Sequence, residues 1–365
     1  MTNPSLLIKR SIKSVASIAK AGLGYPQTAN GSIHVVAYHR VVADIAKAER
    51  EAVYGIVVST GTFRRHCEML RRSYDVVSLE TAMHFLERGR SVARPMAVIT
   101  FDDGYQDFYD EAFPVLNELG LPATVFLPTG YIGKETPLPH DRIFWLLKIA
   151  METSTAVTPA LRRVGLEDHV CDSLLKRGDL LKATDSLVYL PNKLREAAIG
   201  ALETELGNRL ERYPSEYRLL DWDVIREMSR KGINFGSHTA DHVILPLESE
   251  DTMQSELTES KIALERELGK RIISFAYPNG EYNESIRSAA LNAGYTVAVT
   301  TKTGMNTTGA DLLSLTRTSL CEESTRGING AYSARVAGLR LEYDQWNKLL
   351  LPIRKLLSDV ITVHR

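Results

Sequence analysis

Residues 97–107 read "AVITFDDGYQD": an apolar run, Ala97 to Phe101, stops on two adjacent carboxylates, Asp102 and Asp103, and a glycine and a tyrosine follow. Like charges side by side repel, so a buried strand that ends on both carries a cost that something must offset. The run itself is apolar at nearly every position, as expected of a strand covered on both faces. Such strands belong to parallel sheets.

Outward from this stretch the chain alternates between two periods. Strand-like runs recur as "IHVVAY" (33–38), "MAVITF" (96–101), "ATVFL" (123–127), "INFGS" (233–237), "IISFAY" (272–277), "YTVAVT" (295–300) and "LSLTRT" (313–318). Helical stretches lie between them. Phe63, Cys67 and Leu70 share one face of "GTFRRHCEMLRRSY"; "DFYDEAFPVLNELGLP" ends in a glycine stop before Pro122; "SEDTMQSELTESKIALERELGK" stops at Gly269. Repeated strand–helix–strand units imply parallel pairing with crossover helices, and seven strands suit an α/β barrel better than a short open sheet.

Residues 134–221 break the rhythm. "DRIFWLLKIAM" and "NKLREAAIGALETELGNRLERY" are helical in pattern, and the segment is read as an insertion between the third and fourth strands, beside the face that strand C-termini form. The expected organisation is a basic amphipathic helix over 1–30, a barrel over 31–330 and a helical tail over 331–365.

Composition excludes several classes. Hydrophobic content is 44% and charged content 24%, as in an ordinary globular chain, and the net charge of −1 gives no reason to expect nucleic acid as a partner. Cys67, Cys171 and Cys321 are odd in number and far apart, which argues against a disulfide framework or a structural zinc site and favours a reducing compartment. No apolar run reaches the ~18 residues of a membrane span. The first residues lack the pattern of a secretory signal, so a cytoplasmic location is expected. Ile8, Ile12, Val15, Ala19 and Leu23 line one helical face with Lys9, Arg10, Lys13 and Lys20 largely elsewhere. That pattern packs on the protein's own core or lies at the inner face of an anionic membrane as a peripheral contact.

In barrels of parallel strands, side chains just past a strand's C-terminal end point into the site. Asp102 and Asp103 hold that place after one strand, Ser237 and His238 after another, and His242 follows four residues later. If the segment after Gly236 turns helical, both imidazoles fall on one side of one turn. Two histidines and one carboxylate make the three-ligand face of a catalytic metal centre with open positions. A divalent cation would neutralise one of the two carboxylates and leave its neighbour free as a base. Each element alone is commonplace; their joint placement at strand ends carries the inference.

These segments resemble the polysaccharide deacetylase family, also called the NodB-homology or carbohydrate esterase family 4 group. Its first motif, TFDDG, is similar to residues 100–104, and its second, H(S/T)xxH, to "HTADH" at 238–242. The resemblance covers roughly residues 33–320. It implies a distorted (β/α)7 barrel of the NodB type. It also implies Asp102 as general base, with Asp103, His238 and His242 as ligands of a divalent metal, usually zinc and sometimes cobalt or nickel. The reaction implied is removal of an N-acetyl group from an amino sugar of a polysaccharide, oligosaccharide or lipid-linked glycan. A backbone N–H near Tyr105 would then stabilise the oxyanion.

Two departures from the family pattern matter. After "LSLTRT" the chain reads "SLCEES", with no late Leu-x-His to supply a general acid. "VVAYHRVV" places His39 at a strand end instead, as in a subgroup similar to the poly-N-acetylglucosamine deacetylases of biofilm systems, so the resemblance assigns the acid to His39. The third motif, Arg-x-Pro-Tyr in many members, is matched by "FAYPNGEYN" with Ala276 in place of the arginine and Asn279 in place of the tyrosine. Arg317, at the end of the last strand, and Arg142, in the insertion, are the two candidates to orient Asp102 in its stead. Asn279 is a candidate for substrate contact in what is also a strong turn signal. Tyr105, Tyr277 and Trp222 offer rings for sugar stacking or for packing, and Asp141 reads as a helix N-cap. His140 is the remaining histidine that an insertion reaching over the site would recruit.

Three functions follow as alternatives. The first is a metal-dependent N-deacetylase acting on an N-acetylated amino sugar in a polymer, oligosaccharide or lipid-linked glycan. The second is a carbohydrate-binding protein of the same fold that has lost catalysis. The third is a metallohydrolase for O-acetyl esters or small-molecule amides.

Overall fold

The computed structural model describes residues 31–53, 55–89, 94–167 and 179–342. The basic helix expected over 1–30, the tail from 343 onward, and His169, Cys171 and His364 lie outside the described residues. No helix among the described residues is long and apolar enough to cross a membrane.

The strands among these residues are β1 Ile33–Tyr38, β2 Arg40–Val42, β3 Val57–Ser59, β4 Asp75–Val76, β5 Met96–Phe101, β6 Thr124–Leu127, β7 Asn234–Ser237, β8 Ser274–Ala276, β9 Val297–Val299 and β10 Arg317–Ser319. Seven of them form one parallel sheet in the order β10-β1-β5-β6-β7-β8-β9, with β4 paired to the start of β5. Val299 pairs in parallel with Leu315, just ahead of β10, and the Thr300 N–H donates to the Leu315 carbonyl at 2.9 Å. The sheet therefore nearly closes on itself, as the NodB-type (β/α)7 barrel requires. Each of its strands matches one of the seven apolar runs, and β1 and β5 are buried at every position.

Local chemistry explains the connections. Ser59 and Ser249 cap the helices Thr60–Ser73 and Glu250–Leu268 by accepting from the N–H groups of Thr62 and Thr252. Phe63, Cys67 and Leu70 face the core, and Gly269 ends the second helix in the left-handed region at φ 62°.

Two expectations need correction. "LSLTRT" is not one strand: Asp311 accepts from the Leu313 N–H at 3.1 Å and winds Leu312–Ser314 into a 3-10 turn, leaving β10 to begin at Arg317. Residues 238–242 do not turn helical either; Thr239 and His242 both take positive φ, 65° and 50°. The short pair β2–β3, a separate parallel sheet reached through His39 directly after β1, carries too few residues to show in the sequence pattern.

Between β6 and β7 run the helices Pro139–Glu152, Thr158–Arg163, Leu180–Val188 and Asn192–Leu206. They enclose an apolar cluster of their own that includes Ile143, Leu147, Leu187, Ile199 and Leu202. Ile244, two residues beyond His242, is packed into that cluster rather than into the barrel core. This contact ties the segment after β7 to the helices.

Candidate metal centre

β5 delivers both carboxylates. The Asp102 N–H still donates to the Tyr38 carbonyl, continuing the ladder with β1, and the chain then reverses in a γ-turn closed by Gly104 N–H to the Asp102 carbonyl at 2.9 Å. Asp103 occupies the middle of that turn at φ 73°, a strained conformation for a non-glycine residue. Gly104 follows at φ 67°, and a Cβ there would lie 2.4 Å from Leu127 Cδ2. The strain separates the two carboxylates, which are nearly inaccessible to water yet face different partners.

Asp102 faces Arg317. The guanidinium grips both carboxylate oxygens at 2.7 Å and donates its Nε–H to the Thr300 carbonyl at 2.8 Å. Burial pushes the Asp102 carboxyl up, but the Arg317 guanidinium, by its charge and its hydrogen bonds, outweighs it and holds the acid below its ordinary range. His39 Nε2 stands 3.9 Å from Asp102 Oδ2. Burial lowers the pKa of this ring, against the pull of Asp103 and Asp102. Its side chain keeps 25% exposure, enough for proton exchange with solvent.

Asp103 faces histidines. His242 Nε2 lies 3.2 Å and His238 Nε2 3.7 Å from its Oδ1, and the three ligand atoms sit within 4.8 Å of one another. His238 Nδ1 is 2.7 Å from the Ala276 carbonyl. A carbonyl only accepts, so Nδ1 carries the proton and Nε2 presents its lone pair to Asp103. Burial lowers the His242 ring to about 4, against the neighbouring Asp103, so this imidazole is neutral at pH 7. Burial would raise the Asp103 carboxyl, but His242, His140 and His39 hold it below the usual carboxylate range.

The charges decide what this arrangement can hold. Asp102 has a guanidinium; Asp103, equally buried, has only imidazoles, and its Oδ1 accepts no hydrogen bond. A buried carboxylate without a guanidinium or ammonium partner, its Oδ1 3.2 and 3.7 Å from the Nε2 atoms of two imidazoles, is the donor set of a divalent cation, and the residues fit one.

The other candidates named from the sequence disperse. Arg142 points into the helical segment and bonds Glu196 at 2.8 Å and Glu203 at 3.0 Å, so Arg317 alone of the two reaches Asp102. Tyr277 is fully buried and donates to the Leu313 carbonyl, and the buried ring of Tyr105 offers no face to a sugar. The Tyr105 main-chain N–H donates to no group among the described residues. Trp222 packs against the barrel core as the first residue of the helix Trp222–Arg230. Asn279 is half-buried in a 3-10 turn after β8, at φ 56°. Asp141 is not a cap. It lies inside the first turn of Pro139–Glu152, wholly buried, and accepts from the Tyr105 hydroxyl at 2.7 Å.

Two further groups lie outside the family motifs, and one of them, His140, is the histidine that the sequence singles out. His140 Nε2 sits 2.8 Å from the Tyr105 hydroxyl and 4.0 Å from Asp103 Oδ2, so the helical segment does reach the site. Its signal is a His-Asp pair directly after a helix-starting proline. The second is Arg195, whose sequence context, one charge among many on an amphipathic helix, gives no sign of burial.

The family model for polysaccharide deacetylase matches residues 89–170 and 185–298. The chain belongs to the polysaccharide deacetylase family. It stands thereby among hydrolases of non-peptide carbon–nitrogen bonds. The Bacillus subtilis protein YxkH, named for the same family, is 23% identical over 271 residues, 74% of this chain and 68% of its own length. A Staphylococcus epidermidis poly-beta-1,6-N-acetyl-D-glucosamine N-deacetylase is 27% identical over 171 residues, 47% of this chain and 56% of that protein. Among solved structures, the Streptococcus pyogenes deacetylase PplD superposes with a TM-score of 0.53 at 21% identity, over 82% of this chain and 96% of that one. IcaB from Ammonifex degensii gives 0.52 at 16%, over 80% and 94%. At these identities the structural likenesses show a shared fold.

Proposed function

We propose that this protein is a metal-dependent N-deacetylase of polymeric N-acetylglucosamine. The observation that carries the proposal is the division of labour between two adjacent buried carboxylates, one neutralised by Arg317 and the other left to a cation. The name of the staphylococcal relative supports the substrate class.

Asp103, His238 and His242 would hold the cation. When bound, it would supply a Lewis acid and a water of lowered pKa. Asp102, kept ionised and aimed by two parallel hydrogen bonds from Arg317, takes the proton of the attacking water. The Tyr105 main-chain N–H, unspent within the described residues, donates to the oxyanion that grows on the acetyl carbonyl. His39, partly open to solvent beside Asp102, delivers a proton to the departing amine. Ala276 in the third motif would suit a binding protein that has lost catalysis, but Arg317 supplies from β10 what that position lacks.

The test is release of acetate, with a matching free amine, from β-1,6-linked N-acetylglucosamine oligomers by the zinc-loaded protein. Equal appearance of both products supports the proposal. Acetate from O-acetylated sugars alone would replace it with an esterase, and no product from any acetylated glycan would favour a binding protein.

A further inference from the structure

Among the described residues, Arg195 and Arg317 head the large side chains fully withdrawn from water. Arg317 has Asp102 as counter-ion. Arg195, on the helix Asn192–Leu206, has no carboxylate within ion-pair distance among the described residues, and its Nε–H has no acceptor. Burying a guanidinium without a counter-ion costs several kcal/mol, so its partners must matter. They are the Asn192 side chain at 2.9 Å and two backbone carbonyls, Asp241 at 3.3 Å and His242 at 3.2 Å.

Those carbonyls belong to the loop that carries both histidines, and that loop is strained. Thr239 and His242 stand in the left-handed region, each at a cost of order 1 kcal/mol, and such residues persist only where their surroundings over-determine them. Here every carbonyl from 239 to 242 is taken. Thr129 and Gly130, after β6, donate their N–H groups to the carbonyls of Thr239 and Ala240, at 3.2 and 2.8 Å. Arg195 takes the next two. From the opposite side, Glu256 Oε2 accepts from the N–H groups of Ala240 and Asp241 at 2.8 and 2.9 Å. The fit is tight: a Cβ on Gly130 would lie 2.3 Å from Asp241 Oδ1.

We propose that Arg195 is a positioning residue for the cation site. By clamping the His242 carbonyl it fixes that residue's left-handed backbone and so aims Nε2 at Asp103. The helical segment between β6 and β7 thereby sets metal affinity. This rests on the metal-dependent reading above.

The test is the zinc Kd of the full chain, measured by competition with a chromogenic chelator. Arg195→Met should weaken binding about 10–100-fold, and Arg195→Lys, which keeps a donor but loses the fork, by less. Leu202→Ala, in the apolar cluster of the same helix, should lower Tm yet leave Kd within about twofold. Cobalt-loaded Arg195→Lys should show a shifted ligand-field spectrum; the wild-type spectrum would count against the clamp. An unchanged Kd in folded Arg195→Met, or an equal loss in Leu202→Ala, overturns the proposal. Should Arg195→Met fail to fold, Arg195→Lys and Glu256→Gln carry the same test, and a wild-type Kd in both overturns it. Wild-type protein that takes up no zinc refutes the metal centre itself, which separates that failure from failure of the clamp.

Discussion

Arg317 and Asp102 face each other across the barrel interior with two parallel hydrogen bonds of 2.7 Å, although 215 residues separate them in the chain. The pair exists because β10 lies beside β1 and β1 beside β5: Arg317 begins β10 level with Val35 and Val98, and its long side chain reaches Asp102 just past the end of β5. It answers the question raised by Ala276: Asp102, the proposed base, is oriented from a different strand.

Arg317→Met should therefore leave Asp102 as an uncompensated buried charge. Breaking a buried pair in this way costs about 3–5 kcal/mol, and the Asp102 pKa should rise. Acetate release should fall while bound zinc stays stoichiometric. Arg142→Ala, which breaks only bonds to Glu196 and Glu203 in the helical segment, should leave kcat/KM near wild type. Steady-state kinetics with metal analysis checks both. Equal losses in the two variants would remove Arg317 from its special place.

His39→Gln should retain zinc and lower kcat by about 10²–10⁴, the usual worth of a general acid. Product assays on metal-loaded protein decide it. A wild-type rate would move the proton donor elsewhere, and His140, 4.0 Å from Asp103, would be the next residue to change.

Stability should depend on pH through three buried imidazoles. Burial holds His34 at about 4, His66 at about 3 and His242 at about 4 in the fold. In the unfolded chain each takes up a proton near about 6.5. Below that value the unfolded state binds more protons, so stability is full above about 6.5 and is lost as the pH falls toward about 3. Denaturant unfolding of metal-free protein should show this decline, with a shallower slope for His66→Gln. A flat profile across that window would contradict the neutral, buried assignment of the three rings.

Much of this fold was legible because its signal is local. Seven apolar runs bounded by turn residues mark the barrel strands, and Asp102 and Asp103 stand out where one run stops. What stayed hidden depends on contacts between distant segments. The conformation of 238–242 is imposed by Arg195, Glu256 and Gly130 against the residues' own preference, so spacing alone suggested a helix. The choice of Arg317 over Arg142 follows from sheet order, which no periodicity records. Asp141 looked like a cap because caps and buried acceptors share a residue type; only Tyr105 across the site tells them apart.

The central claim is that Asp103, His238 and His242 together bind one cation. Diffraction from zinc-soaked crystals, recorded on both sides of the zinc absorption edge, tests it most directly. The expected result is one strong anomalous peak about 2.0–2.2 Å from Asp103 oxygen and the two Nε2 atoms. No peak there under saturating zinc would contradict it.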